Sequence, residues 1–223
     1  MPLPRTEVVP GLTAELAQFE DLIRSFDAQA WAAPTRCAGW AVGDVCAHVV
    51  GTISDIGNGR LDELVGGPTS PSARQVAERR GRGPEEVADE LHDMTKVVSD
   101  IAATFDDAAW AGPPPVALPG TLGTAVEAIW YDTYLHGEDI RAALGRPGQR
   151  GAGLRASVSH VAEILTQRGW GPATVALDGM EAFSVGDGGG RQITGDPLAF
   201  VLVATGRANA TSIGLDPTVN IYA

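Results

Sequence analysis

At 223 residues the chain has room for one large domain or two small ones, and its 44% apolar content is ordinary for a folded globular protein. A formal net charge of -12 argues against general binding to nucleic acid or to an anionic membrane surface. The N-terminus lacks a basic stretch followed by an apolar run, and no apolar segment approaches bilayer-spanning length, so a soluble cytoplasmic protein is expected.

Apolar periodicity then divides the chain. Leu12, Leu16, Phe19, Leu22, Ile23 and Phe26 recur at helical spacing and predict a first helix. After a Pro- and Gly-bearing loop, Val42, Val45, Cys46, Val49, Val50, Ile53 and Ile56 predict a second, with Asp44 in its first turn. Gly57 to Gly83 reads as a long connection, with Gly-Gly-Pro at Gly66 to Pro68 and a short helix around Ala73 to Arg80. Pro84 sits at the favoured first position of a third helix, striped by Val87, Leu91, Met94, Val98, Ile101 and Phe105. Trp110 to Gly120 is a proline-rich loop. Thr121 to Leu144 forms a fourth helix, ended by Gly145 and Pro147. Four amphipathic helices in sequence predict a four-helix bundle. A fifth helix follows at about Gly153 to Gln167. Short strands are expected at Thr174 to Leu177, Phe183 to Val185, Arg191 to Thr194 and Val219 to Tyr222, with a helix at Pro197 to Thr205. The fold class is therefore α+β, with a helical bundle over residues 1–150 and a small α+β domain over 151–223.

Four histidines and two cysteines carry the candidate chemistry. His92 and His160 lie off the apolar stripes of their helices; His92 reads as a solvated surface residue and His160 as a surface or domain-junction residue. Cys46 lies on its stripe and reads as a small core residue. Two thiols without an export signal do not make a disulfide framework. Asp132 and His136 are one helical turn apart and project from one face. A carboxylate there is expensive to bury unless it is paired or binds a metal, so a plain Asp–His hydrogen bond and a metal site both fit. His48 lies at the flank of its own stripe, one turn after Asp44, which would hold its ring either as a core histidine or as a ligand. Two imidazoles and one carboxylate with a position left open form a donor set typical of catalytic zinc.

Two segments carry a family resemblance. One is Thr35-Arg-Cys37-Ala-Gly39-Trp40-Ala-Val42-Gly-Asp44-Val-Cys-Ala-His48. The other runs from Asp132-Thr-Tyr-Leu-His136-Gly137-Glu-Asp139-Ile140 to Leu144-Gly145-Arg146-Pro147. At these residues the chain resembles the mycothiol-dependent maleylpyruvate isomerase family, within the DinB-like group of metal-binding four-helix bundles. The likeness covers roughly Leu12 to Pro147 and continues more weakly around Gly195 to Arg207. It implies a zinc or other divalent-metal site at His48, Asp132 and His136, with mycothiol as thiol cosubstrate. Family members usually carry Glu where this chain has Asp132, which shortens the arm by one methylene. The implied chemistry is activation of the thiol as a thiolate for isomerisation of, or transfer to, a small electrophilic substrate in a cleft between the domains. Arg207 would clamp a substrate carboxylate by a bidentate bond; as a helix-end charge it equally complements the dipole. Trp40 and Tyr134 would wall the site. A metal-assisted hydrolase, with Asp139 or Glu138 as base, and a non-catalytic binding protein remain the alternatives. A monomer or homodimer is expected.

Overall fold

The computed structural model describes residues 3–65 and 69–223. The turn sequence Gly66 to Pro68 therefore lies outside the described residues. The chain divides into two compact units, Pro4–Gly148 and Gln149–Ala223.

The first unit contains α1 (Arg5–Arg24), the single turn α2 (Ala28–Trp31), α3 (Val42–Gly57), α4 (Pro71–Glu78), α5 (Pro84–Ala103), the short α6 (Asp107–Ala111) and α7 (Leu122–Ala143). The four long helices pack in a ring, α1 on α5, α5 on α3, α3 on α7 and α7 on α1. Their stripes meet in a core of Leu16, Ile23, Val45, Ile53, Leu91, Trp130 and Ile140, all essentially excluded from solvent. Helix α1 begins two turns before the periodicity suggests. Pro10 lies inside it, in the second turn, where it forfeits one backbone bond, and Val8 is already buried. Thr121 caps the start of α7, accepting from the Thr124 amide, and beyond its last turn Gly145 adopts a left-handed φ of +63°.

The bundle also buries charge. Glu15 of α1 lies under Trp130, whose indole N–H donates to Oε2 at 3.3 Å. Burial pushes the Glu15 carboxyl above the usual carboxylate range, against the indole bond and Arg141 and with the help of Glu138. A raised carboxyl favours the fold below its unfolded pKa, and that contribution is lost as pH rises through the folded value. Glu15→Gln keeps an oxygen for the indole. It is expected to leave stability unchanged in acid and to raise it progressively toward neutral pH. Urea unfolding at two pH values measures this; a pH-independent difference would contradict it.

The second unit holds α8 (Ala152–Gln167), β1 (Ala173–Leu177), β2 (Phe183–Val185), β3 (Arg191–Gly195) and α9 (Pro197–Ala204). The sheet order is β2-β1-β3, with β1 antiparallel to β2 and parallel to β3. Val175, Leu177, Val185 and Ile193 are buried, and α8 packs on α9. Together the units give an α+β chain. The closing strand expected at Val219 to Tyr222 is not formed. Asp216 accepts from the Thr218 amide and starts a 3₁₀ turn at Pro217–Val219. The Ile221 amide then bonds the Ala204 carbonyl at the end of α9 rather than a sheet edge. Among the described residues, no helix is long and apolar enough to cross a membrane.

Candidate metal centre in the helical bundle

Asp132 and His136 lie one turn apart on α7, and His48 reaches them from α3. His48 Nε2 is 3.6 Å from Asp132 Oδ2, and His136 Nε2 is 3.5 Å from Asp132 Oδ1. The two imidazoles stand edge to face, 5.1 Å between centroids at 89°. One nitrogen from each ring and a carboxylate oxygen all lie within 4.8 Å of one another. A tetrahedral ion with ordinary bond lengths sets its nitrogen and oxygen ligands ~3.3 Å apart. The donors present therefore fit a small divalent cation with little movement. The Asp132 side chain is 34% exposed, against 16% for His48 and 11% for His136, so the open side is the carboxylate side. Trp40, in the loop before α3, sets its ring 5.4 Å from that of His48 and 6.4 Å from that of His136.

The far nitrogens have contrasting partners. Asp44 does not hold His48; its Oδ2 accepts from the Ala41 amide and caps α3. His48 Nδ1 is instead 2.8 Å from Gln75 Oε1, on α4. The amide end of Gln75 donates to Asp55 Oδ2 at 2.8 Å, and Asp55, wholly buried, also receives Arg74 at 2.6 Å and Arg60 at 2.7 Å. Asp55 lies two turns beyond His48 on the same face of α3. Gly51, between them, makes room: a Cβ there would lie 2.5 Å from the Gln75 Cβ. This chain fixes the Gln75 oxygen toward His48, and so fixes the ring proton on Nδ1 and the lone pair on Nε2. Burial works against protonation of His48, but Asp132 and Gln75 outweigh it and raise its pKa above the usual histidine value. The pocket thus attracts positive charge at the point where the donors converge. Gln75→Met fills the same volume without the acceptor. It is expected to weaken divalent-metal binding by about 10–100-fold, read by competition with a chelator.

His136 Nδ1 is held by a carboxylate: Asp139 Oδ2 lies 3.0 Å away, and Asp139 is completely buried. Arg36 Nε donates to its other oxygen at 2.7 Å, and the Cys37 thiol donates to Oδ2 at 3.2 Å. Asp139 therefore lies behind the ring, away from the open side, and is not the base expected for a hydrolase. Glu138 is not at the site either; it is buried and paired with Arg141 at 3.0 Å. Cys37 Sγ, His136 Nδ1 and Asp139 Oδ2 form a second group of donors within 4.8 Å.

Other expectations sort as follows. Tyr134 is buried in the core, and Trp40 flanks the imidazoles. Cys46 is fully buried and burial pushes its thiol pKa upward, as a core residue's should be. His92 is exposed beside Glu20 at 3.2 Å. Arg207 belongs to the second unit, where its guanidinium donates to the Thr205 carbonyl at 3.3 Å, at the end of α9. Gln75 and Asp55 went unread from sequence, and Arg36 and Cys37 stood in the first motif without a role. For Asp55 the seven-residue spacing from His48 was the available signal.

The mycothiol maleylpyruvate isomerase N-terminal domain model matches residues 12–141, more than half of the chain. Crystal structures of the mycothiol-dependent maleylpyruvate isomerase, and of a histidine-to-alanine mutant of it, share the fold. Each has a TM-score of 0.66 at 14% identity, over 92% of this chain and 90% of the other. No curated protein matches the chain in sequence. The chain belongs to the family of the mycothiol maleylpyruvate isomerase N-terminal domain.

Proposed function

We propose that this protein is a divalent-metal enzyme, zinc being the first choice, that activates mycothiol for addition to a small electrophilic substrate. The convergence of His48, Asp132 and His136 supports this reading most directly. These residues would hold the ion, and a thiol coordinated to zinc is deprotonated outright. The protein's own groups do the rest. Gln75 and Asp139 orient the two imidazoles, each through Nδ1. Trp40 supplies an apolar wall, and the half-open side at Asp132 leaves a way in for the thiol sulfur. Sulfur adds to an electrophilic carbon and the displaced electron pair moves onto the substrate; loss of sulfur after bond rotation returns an isomer, and retention with uptake of a proton from solvent gives a thioether. The family relationship supports mycothiol as the thiol, because the related crystal structure is of a mycothiol-dependent enzyme. Recognition of a substrate carboxylate by Arg207 rests on resemblance alone.

Elemental analysis of untagged protein tests the centre. About one zinc or similar ion per chain is expected, with loss of the ion in both His48→Ala and His136→Ala. Calorimetric titration of the metal-loaded protein with mycothiol then tests the thiol. Wild type that stays metal-free in added zinc would sink the proposal; bound metal with no affinity for mycothiol would sink the thiol part of it.

A further inference from the structure

The structure places a second set of donors behind His136, and the function proposed above gives its sulfur no role. Cys37 Sγ, Asp139 Oδ2 and His136 Nδ1 lie 3.2, 4.0 and 3.0 Å apart, taking the pairs sulfur–oxygen, sulfur–nitrogen and nitrogen–oxygen. A tetrahedral ion of zinc's size bound by one sulfur, one nitrogen and one oxygen needs separations of ~3.3–3.6 Å, so each pair is within about half an ångström of that, and a larger soft ion needs the three donors to spread further. Arg36 Nε donates to the other carboxylate oxygen, Asp139 Oδ1, at 2.7 Å, and its Nη2 donates to the Glu138 carbonyl at 3.0 Å. Cys37 is half-buried in the loop before α3, whereas Cys46, the other thiol, is sealed in the core.

We infer that Cys37, His136 and Asp139 form an alternative seat for a soft, thiophilic cation such as Cd²⁺, and that its occupation excludes metal from the His48–Asp132–His136 centre. The selectivity follows from donor type. The outer centre offers only nitrogen and oxygen, while this seat offers a thiolate, and soft ions prefer sulfur. Exclusion follows as long as the ring stays neutral, because a neutral imidazole has one proton and one lone pair for a metal. Metal at the outer centre takes the Nε2 lone pair and leaves the proton on Nδ1, facing Asp139. A cation in the inner seat takes the Nδ1 lone pair, so the ring proton moves to Nε2, which faces Asp132 Oδ1 at 3.5 Å. In the exchange the Cys37 S–H bond breaks and its proton goes to solvent, while bonds form from the cation to Sγ, Nδ1 and Oδ2; no oxidation occurs. The outer centre is then reduced to His48 and Asp132. The exclusion, though not the seat itself, rests on the metal reading proposed above.

Cadmium titration of the full-length, zinc-loaded protein tests this. Absorption from sulfur-to-cadmium charge transfer should grow to about one ion per chain while zinc is released in step, as read by a chromogenic chelator. Cys46→Ala should behave as wild type. Cys37→Ser and Cys37→Ala should show no such band and should need at least about tenfold more cadmium to release zinc. Cadmium bound with zinc retained would overturn the exclusion. A missing band, or one that survives in both Cys37 variants, would overturn the seat. Protein that never holds zinc but shows the Cys37-dependent band would keep the seat and sink the functional reading. Zinc that depends on His48, with no cadmium band, would do the reverse.

Discussion

Asp139→Asn is expected to weaken metal binding at least about 10–100-fold, because the carboxylate behind a ligating imidazole sets its tautomer. Three donors meet the Asp139 carboxylate: Arg36 Nε on one oxygen, and the His136 ring N–H and the Cys37 thiol on the other. An amide has one accepting oxygen, so in either orientation its NH₂ meets a donor. Turned toward Arg36, it opposes a guanidinium. Turned toward His136, it forces the ring proton onto Nε2 and removes the lone pair the metal needs. Water cannot relieve the conflict, since Asp139 is completely buried. Loss of the charged hydrogen bond to Arg36 should also cost about 1–3 kcal/mol of stability. Chelator competition measures the first effect and urea unfolding of the metal-free protein the second. Wild-type metal affinity in the variant would mean that something other than Asp139 orients the ring.

Asp139 also shows where sequence stops. Its position three residues after His136 marks a neighbour on the helix, but not which ring nitrogen it meets. Only the ring's orientation separates a base at the open side from a support behind it. The long helices were legible because each buries one stripe at a regular period, and Pro84, Thr121 and Gly145 punctuate them. The start of α1 was not, because Pro10 interrupts the pattern where a helix can tolerate it. Alternating apolar residues at Val219 to Tyr222 resemble a strand, yet the Asp216–Pro217 turn and the bond from Ile221 to α9 decide the local structure. In the site, the four-residue spacing of Asp132 and His136 is visible in sequence, and His48 joined them by resemblance alone. Gln75 could not be seen, because 27 residues and a long connection separate it from the ring it supports.

That long connection is the basis of the second large effect. Asp55→Ala should cost about 3 kcal/mol, the lower end for breaking a buried ion pair by removing one partner. The lower end applies because Arg74 and Arg60 are 21% and 36% exposed and Arg74 keeps Glu78 at 2.8 Å as a second partner. The same change should reach the metal centre without touching a ligand. The Asp55 oxygen that accepts from Gln75 Nε2 is what keeps the Gln75 oxygen turned toward His48. Without it, the amide is free to turn over and present its NH₂ to Nδ1, moving the ring proton to Nε2. Asp55→Ala should therefore lose both stability and metal affinity, and α4 should become open to limited proteolysis. Asp55→Asn separates the two effects. Its oxygen still accepts from Gln75, but it carries no charge for the arginines. Metal affinity in Asp55→Asn should recover further than stability does. Equal recovery, or a tightly binding Asp55→Ala, would show that α4 and Gln75 are held against α3 by packing at Gly51 rather than by the buried carboxylate.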